Sequence, residues 1–201
     1  MAISDKLRKF LNKPDNQQLL AENNLHKFLF VCFTELEIED YRNLIGLLML
    51  QYDDFFGELD GLTPNMFEQM HGIGTVVLNP TVPSIPSECF KDSDITSISG
   101  DNVTTISQRA FIGCKNLIHI DLPNVTSIGS HAFGDCTALK QIDLPKTVQT
   151  IGIKAFNGCT NLKQINYHGT MEEFKNIRFG MRWDGTFDSS AAKIVCVDGE
   201  I

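Results

Sequence analysis

Histidine beside serine or aspartate is the first combination in this sequence that could do chemistry. The chain has five histidines; Ser130 precedes His131, and His119 lies two residues before Asp121. A serine nucleophile needs a histidine base that a third group orients, and no such group stands at a usable spacing. Alternate residues of a strand share one face, so a pair such as His119 and Asp121 is common on any polar sheet. We therefore predict that the chain is not an enzyme.

The six cysteines are the next candidates, as metal ligands or redox groups. None stands at CxxC spacing or in a cluster with histidine, so the sequence predicts neither a zinc site nor another cofactor. Cys114, Cys136 and Cys159 recur at one repeat position, and Cys89 lies one residue earlier in its own copy. This pattern is typical of small buried side chains in a reducing compartment. A disulfide framework is the alternative if the protein is exported.

An acidic segment interleaved with aromatic residues could bind a basic, grooved partner. It contains Asp53, Asp54, Phe55, Phe56 and Glu58. The spacing of its carboxylates does not match a calcium-binding loop. The alternative interpretation is a packed loop with solvated carboxylates.

A repeat organises the second half of the chain. Its phenylalanines fall at positions 90, 111, 133 and 156, which gives steps of 21, 22 and 23 residues. Around each of the last three stand Val-x-x-Ile, Ala-Phe, Cys, Leu and Ile at matching offsets. Self-similarity at such a period predicts a stacked solenoid, with short strands in a parallel sheet and the phenylalanines as a ladder in the core.

The outward positions of the predicted strands form a candidate binding face, because neighbouring side chains of a strand point to opposite faces. With the flanking lysines and a closing histidine, the face comprises His119, Asp121, Lys140, Gln141, Asp143, Lys163, Gln164, Asn166 and His168. Protein interfaces usually contain aromatic or arginine anchors, which this face lacks. A merely solvated sheet is therefore the alternative.

The residues before the repeat have a different pattern. Apolar residues at steps of three and four predict amphipathic helices, and Thr63-Pro64 predicts the start of a short helix that continues to Met70. We therefore predict an α+β fold with three parts. They are an N-terminal α-helical domain over residues 1–74, a short leucine-rich-repeat solenoid over residues 75–170, and a C-terminal cap over residues 171–201.

The repeat resembles the BspA-like leucine-rich repeat of bacterial, protist and phage proteins. The resemblance rests on the pattern V-x-x-I-(3)-A-F-x-x-C-x-x-L-x-x-I-x-L-P, and the closing segment Tyr167-His168-Gly169-Thr170 is similar to the ending of that family. The resemblance implies a solenoid that recognises proteins or surfaces, and many relatives are secreted adhesins. The N-terminal 70 or so residues resemble no family that we can name.

Charge and hydropathy narrow the function further. The net charge is −8, which disfavours direct nucleic-acid binding. No secretory signal and no apolar stretch long enough to cross a bilayer is visible, which favours a cytoplasmic protein without membrane insertion.

We predict a non-enzymatic inhibitor or adaptor, with phage as one source, that binds another protein, in the first instance a bacterial host protein. The alternatives are an adhesive surface module and an acidic DNA mimic. The oligomeric state is left open, with a dimer as one option.

Overall fold

A computed structural model describes residues 13–15, 62, 64–69, 73–78, 80–184 and 192–200. The chain divides into two compact units, residues 1–60 and 61–201. The second unit is a β-solenoid in which each coil of chain stacks on the next. Its strands belong to two walls.

The first wall carries the strands that end each coil. They are β1 (Thr75–Val77), β3 (Ser97–Ser99), β5 (His119–Asp121), β7 (Gln141–Leu144), β9 (Gln164–Tyr167), β11 (Lys193–Cys196) and β12 (Gly199–Glu200). The strand order is β1-β3-β5 in one sheet and β7-β9-β11-β12 in another. All pairs are parallel except β11 and β12, which pair antiparallel.

The second wall is a single parallel sheet of two-residue strands. They are β2 (Ser84–Ile85), β4 (Thr105–Ile106), β6 (Ser127–Ile128), β8 (Thr150–Ile151) and β10 (Arg178–Phe179), in that spatial order. The one helix described in this unit, α1 (Met171–Lys175), begins at Thr170. The Thr170 side chain accepts a hydrogen bond from the Glu173 N–H, and the Glu173 side chain accepts one from the Thr170 N–H. This reciprocal capping stabilises the first turn.

A ladder of phenylalanine rings fills the core between the walls, as the repeat predicts. The rings of Phe67, Phe90, Phe111, Phe133 and Phe156 stack with centroids 5.0, 5.2, 5.3 and 5.4 Å apart and planes within 13° of parallel. Each of these residues also donates its backbone N–H to a carbonyl of the next coil, at 2.7–3.0 Å. Trp183 closes the ladder, with its ring edge-on to Phe156 at 6.3 Å.

Glycine allows the coils to approach closely behind the second wall. Gly129, Gly152 and Gly180 each follow a strand of that wall directly. A Cβ atom at Gly152 would lie 2.4 Å from the Ser130 nitrogen, and one at Gly180 would lie 2.3 Å from the Ile153 nitrogen. The repeat therefore needs glycine here because a neighbouring backbone occupies the space of a side chain.

The prediction of an α+β fold with an N-terminal α-helical domain is wrong for this structure. The described residues are nearly all β, and they include no helical N-terminal domain. Most of the predicted helical segment lies outside the described residues. Residues 64–69, expected to be a short helix, form turns of a further coil, because Phe67 stacks on Phe90 and its N–H donates to the Cys89 carbonyl at 2.7 Å.

Removing one ring from the ladder should be costly. Phe133 is fully buried between two stacked neighbours, so we expect Phe133→Ala to lower the free energy of unfolding by about 3–5 kcal/mol. Denaturant unfolding measures this loss. Ile153→Ala, at a half-exposed side chain, is the control and should change stability by less than about 0.5 kcal/mol. An unchanged midpoint for Phe133→Ala would refute the stacked core.

The close contact between Gly152 and the backbone of the neighbouring coil leads to a second prediction. Gly152→Ala should lower the free energy of unfolding by about 1–3 kcal/mol, because the new methyl group collides with backbone that cannot turn aside. At Gly134 the nearest atom to an added Cβ is Ile112 Cγ1, at 3.2 Å. That side chain can shift, so Gly134→Ala is the matched control with the smaller loss. Equal losses in thermal unfolding of the two variants would contradict the close approach.

Candidate protein-binding surface

The outward side chains of the first wall form two columns. The first column contains Thr75, Ser97, His119, Gln141, Gln164 and Lys193, and the second contains Val77, Ser99, Asp121, Asp143, Asn166 and Val195. The central residue of each strand points into the core, as the burial of Ile98, Ile120, Ile142 and Ile165 shows. The structure thus places the predicted strand residues on one face. Their role in binding stays a prediction.

The two ends of this face are already held by internal contacts. Ser97 Oγ donates to Thr75 Oγ1 at 2.9 Å. At the other end, Asn166 Nδ2 donates to Asp143 Oδ1 at 2.9 Å, and Gln164 Nε2 donates to Asn166 Oδ1 at 2.6 Å. His168 Nε2 lies 3.6 Å from the same Asp143 oxygen. A partner would have to displace these contacts in order to use the side chains at either end.

The middle of the face differs from its two ends, because its polar side chains are exposed and make no internal hydrogen bonds. Within the described part of the chain, no hydrogen bond or ion pair engages the side chains of His119, Asp121, Lys140, Gln141 and Lys163. Four of these five residues lie on β5, on β7 or directly before β7. Since a free polar group can bond a partner without first breaking an internal bond, the middle is the better candidate.

The first wall is also interrupted at this place. β5 and β7 are neighbours in the stack, yet they share no ladder in the described sheets. The interruption, which we call the seam, is confined to this wall, because β4, β6 and β8 pair without a break. At the seam the equivalent outward positions are both aspartate, Asp121 and Asp143. Like charges on neighbouring strands destabilise pairing, which gives a physical reason for the seam.

The core residue at the seam is slightly more exposed than its equivalents. Ile120 is 8% exposed, compared with 0% for Ile98 and 1% for Ile165 in other coils. Behind it lies a cavity of about 10 Å³, lined by apolar side chains and Asp143. On the surface beside it, Ile118 is 60% exposed. The sequence analysis missed Ile118 because in the other copies its position is polar (Thr96, Lys140 and Lys163).

The second wall offers fewer free groups. Thr104 Oγ1 donates to the Pro83 carbonyl at 3.2 Å, and Thr126 Oγ1 donates to the Thr104 carbonyl at 3.0 Å. Thr150 Oγ1 donates to Ser127 Oγ at 2.9 Å. These hydroxyl groups join one coil to the next, so the second wall is the weaker candidate.

The cysteines form an internal column rather than a reactive site. The thiols of Cys114, Cys136 and Cys159 donate to the carbonyl oxygens of Phe90, Phe111 and Phe133, at 2.9, 3.2 and 3.0 Å. All five described cysteines are free thiols. Burial raises the pKa of Cys114 and of Cys159 to about 12, and it also raises the pKa of Cys136. These thiols therefore stay protonated near neutral pH and are poor nucleophiles.

The sequence analysis also made predictions about an acidic segment, metal binding and membrane insertion. The acidic segment with Asp53, Asp54, Phe55, Phe56 and Glu58 lies outside the described residues. Among the residues that are described, no cluster of three or more His, Cys, Asp or Glu side chains is arranged to hold a metal ion. No described helix is long and apolar enough to cross a membrane.

Parallel walls, a stacked aromatic core and a period of 21–23 residues define a solenoid of leucine-rich type. A profile of the BspA type leucine rich repeat region matches residues 58–182 in six copies, and the chain belongs to this family. The resemblance seen in the sequence is thereby confirmed, and the match begins earlier than residue 75. Repeats of this type are generally non-enzymatic and are typical of protein-binding or adhesive modules.

Two solved structures are similar to the chain. A leucine-rich repeat protein from Bacteroides ovatus has 21% sequence identity and a TM-score of 0.48; the match covers 70% of this chain and 46% of that one. The leucine-rich repeat protein of T. pallidum has 19% identity and a TM-score of 0.36, and the match covers 63% of this chain and 85% of that one. A search of curated proteins finds no match.

The raised thiol pKa values predict how stability depends on pH. The pKa of Cys114 is about 12 in the folded protein, and the ordinary value is 9.0. The stability that the protonated Cys114 thiol contributes is therefore fully present below pH 9 and is lost as the pH rises through about 12. Above pH 9 the unfolded thiol ionises while the folded one keeps its proton, so stability falls by up to about 1.4 kcal/mol per pH unit for each such group. We expect Cys114→Ala to lose stability less steeply than the wild type in denaturant unfolding at pH 8, 9.5 and 10.5. Parallel slopes would contradict the assignment.

Proposed function

We propose that the chain is a non-enzymatic protein-binding module whose binding site is the middle of the first wall, at the seam. The observation that carries the proposal is the coincidence of free polar side chains with an interrupted sheet. His119 and Asp121 project from β5 and Gln141 projects from β7, the two strands that do not pair, and Lys140 directly precedes β7. Ile118 adds an exposed apolar contact beside them.

The chemistry of this site suits a partner that presents polypeptide rather than a small molecule. The free side chains of two neighbouring coils form an open surface, and another polypeptide can contact such side chains along its length. Lys140, Asp121 and Asp143 supply charges of both signs along the same line, which favours a partner with complementary charges over a simple polyanion. The nearby cavity of about 10 Å³ holds no more than about one water molecule, so binding would take place on the surface.

The finer version of the proposal is an inhibitor or adaptor, phage-encoded in its most specific form, that engages a bacterial host protein. It is supported by the compact repeat, by the net charge of −8 and by the residues before the repeat that resemble no family we can name. In this version Lys163, Gln164, Asn166 and His168 extend the contact along the wall, and the acidic segment around Asp53 and Glu58 supplies a second contact.

Two matched substitutions test the site. Ile118→Asp places a charge at the seam, whereas Ile153→Asp places the same charge at another exposed isoleucine, which is 48% accessible. Full-length protein and both variants serve as baits for bacterial lysate, with capture quantified by mass spectrometry and folding checked by circular dichroism. We expect a partner that the wild type and Ile153→Asp retain equally and that Ile118→Asp retains at least about tenfold less, since burying an unpaired charge costs more than about 1.4 kcal/mol.

The other outcomes are equally informative. A partner captured equally by all three baits would place binding away from the seam. If no lysate protein is retained and the protein binds intact cells instead, the adhesive function replaces the inhibitor or adaptor. Binding that disappears steeply with added salt, in the same way for both variants, would favour nucleic-acid mimicry.

A further inference from the structure

A second surface feature lies at the C-terminal end of the solenoid. It is a cavity of about 350 Å³ between the turn that follows β7, the end of β9 and the segment from α1 to β10. Its size falls in the range of small-molecule sites. The lining residues are Lys146, Val148, Gln149, Tyr167, Glu173, Asn176, Ile177 and Arg178.

The floor of the cavity is apolar and rigid. Val148, Tyr167 and Ile177 are each at most 5% exposed. The Tyr167 ring packs edge-on against Phe174 at 5.3 Å, and its hydroxyl lies 3.4 Å from the Lys146 carbonyl oxygen. Burial raises the pKa of Tyr167, with Glu173 as a further cause, so the hydroxyl is a neutral hydrogen-bond donor. These contacts hold the floor in place before a ligand binds.

Two cations stand at the rim. Lys146 and Arg178 are exposed, and neither forms an ion pair with any residue that the structure describes. Elsewhere in the same unit Lys91, Arg109, Lys175 and Lys193 all pair with glutamates, at 2.6–3.7 Å. The chain has 25 acidic and 17 basic residues, so acidic partners are plentiful. Lys146 and Arg178 can therefore bind an external anion without first breaking an ion pair within the described residues.

The backbone fixes where these cations stand. Arg178 donates its N–H to the Gln149 carbonyl at 2.9 Å and pairs in register with Thr150. Lys146 lies in a turn that the Val148 N–H closes on the Pro145 carbonyl at 3.1 Å. Both side chains thus start from ordered positions, so little backbone entropy is lost when a ligand binds.

Glu173 is the third charged residue that lines the cavity, beside Lys146 and Arg178, and it affects which ligand charge is preferred. Glu173 Oε2 accepts hydrogen bonds from the Thr170 N–H at 2.8 Å and from Thr170 Oγ1 at 3.3 Å, so this carboxylate is committed to capping α1. The lining therefore carries two positive charges and one negative charge, a net formal charge of +1. A monoanion neutralises this net charge, whereas a dianion such as phosphate would leave the occupied site with a net negative charge.

We propose that this cavity binds a carboxylate, held by Arg178 and Lys146, with the rest of the ligand over the apolar floor. The planar guanidinium of arginine accommodates a carboxylate in a bidentate fashion. The Gln149 amide offers a further hydrogen bond at the rim, and Asn176 Nδ2, which donates one N–H to the Glu172 carbonyl at 3.0 Å, has a second N–H to offer. The carboxylate belongs either to a free organic acid or to an acidic side chain of a polypeptide, and the experiment below distinguishes these sources.

Titration followed by nuclear magnetic resonance tests the proposal on the full-length protein. The probe is N-acetyl-glutamate α-amide, a monoanion, and the control ligand is N-acetyl-glutamine amide, which has the same shape without the charge. We expect the anion alone to shift the Arg178 Nε–H and the Gln149 and Asn176 amide signals with saturation. Arg178→Gln and Lys146→Gln should each weaken binding at least about tenfold, as expected for losing a charge-assisted hydrogen bond.

Lys115→Gln is the matched control variant, because it removes an exposed lysine that does not line the cavity, and it should bind as the wild type does. Equal shifts with the neutral ligand, or full binding by Arg178→Gln, would overturn the proposal. Glucuronate and acetyl-Val-Glu-Val amide identify the source. Tighter binding of glucuronate assigns the site to free acids, and tighter binding of the peptide assigns it to polypeptide side chains; both outcomes support a carboxylate site.

Discussion

The stacking of phenylalanine on phenylalanine is the interaction on which the rest of the solenoid depends. Rings 5.0–5.4 Å apart and nearly parallel set the distance between coils. That distance also allows strands of successive coils to pair, because neighbouring strands lie about 4.8 Å apart. The thiols of the cysteine column bond to carbonyls of the same phenylalanines, so the core has both an apolar and a polar connection between coils.

Because the inner positions are fixed by this stack, the outer positions are the ones free to differ between coils. Val77, Ser99, Asp121, Asp143 and Asn166 occupy equivalent places with different chemistry. One combination, Asp121 beside Asp143, coincides with the break in the first wall. A difference of this kind changes the surface without a change in the core, which is how repeat proteins combine a common fold with individual binding sites.

The sequence was most informative where one residue type repeats at one position. The phenylalanine ladder, the short parallel strands and the outward positions of His119 and Gln141 could all be predicted in this way. Phe67 was missed because its coil has Met66-Phe67 where the others have Ala-Phe or Cys-Phe, and Pro64 favoured a helix start.

The seam could not be predicted from strand patterns, because β5 and β7 each look like an ordinary strand. It depends on which charges become neighbours after stacking. The cavity near Arg178 was missed for a similar reason, since its residues are distant in sequence.

The seam also affects how the solenoid responds to a stretching force. Coils on either side of it are joined by the second wall and by the aromatic stack, whereas other neighbouring coils between Ser84 and Phe179 are joined by both walls. Between Ser84 and Phe179, a force applied along the solenoid axis therefore meets the fewest strand pairs between β5 and β7. The solenoid would extend there first and divide into two stacks, each still closed by its own strand pairs.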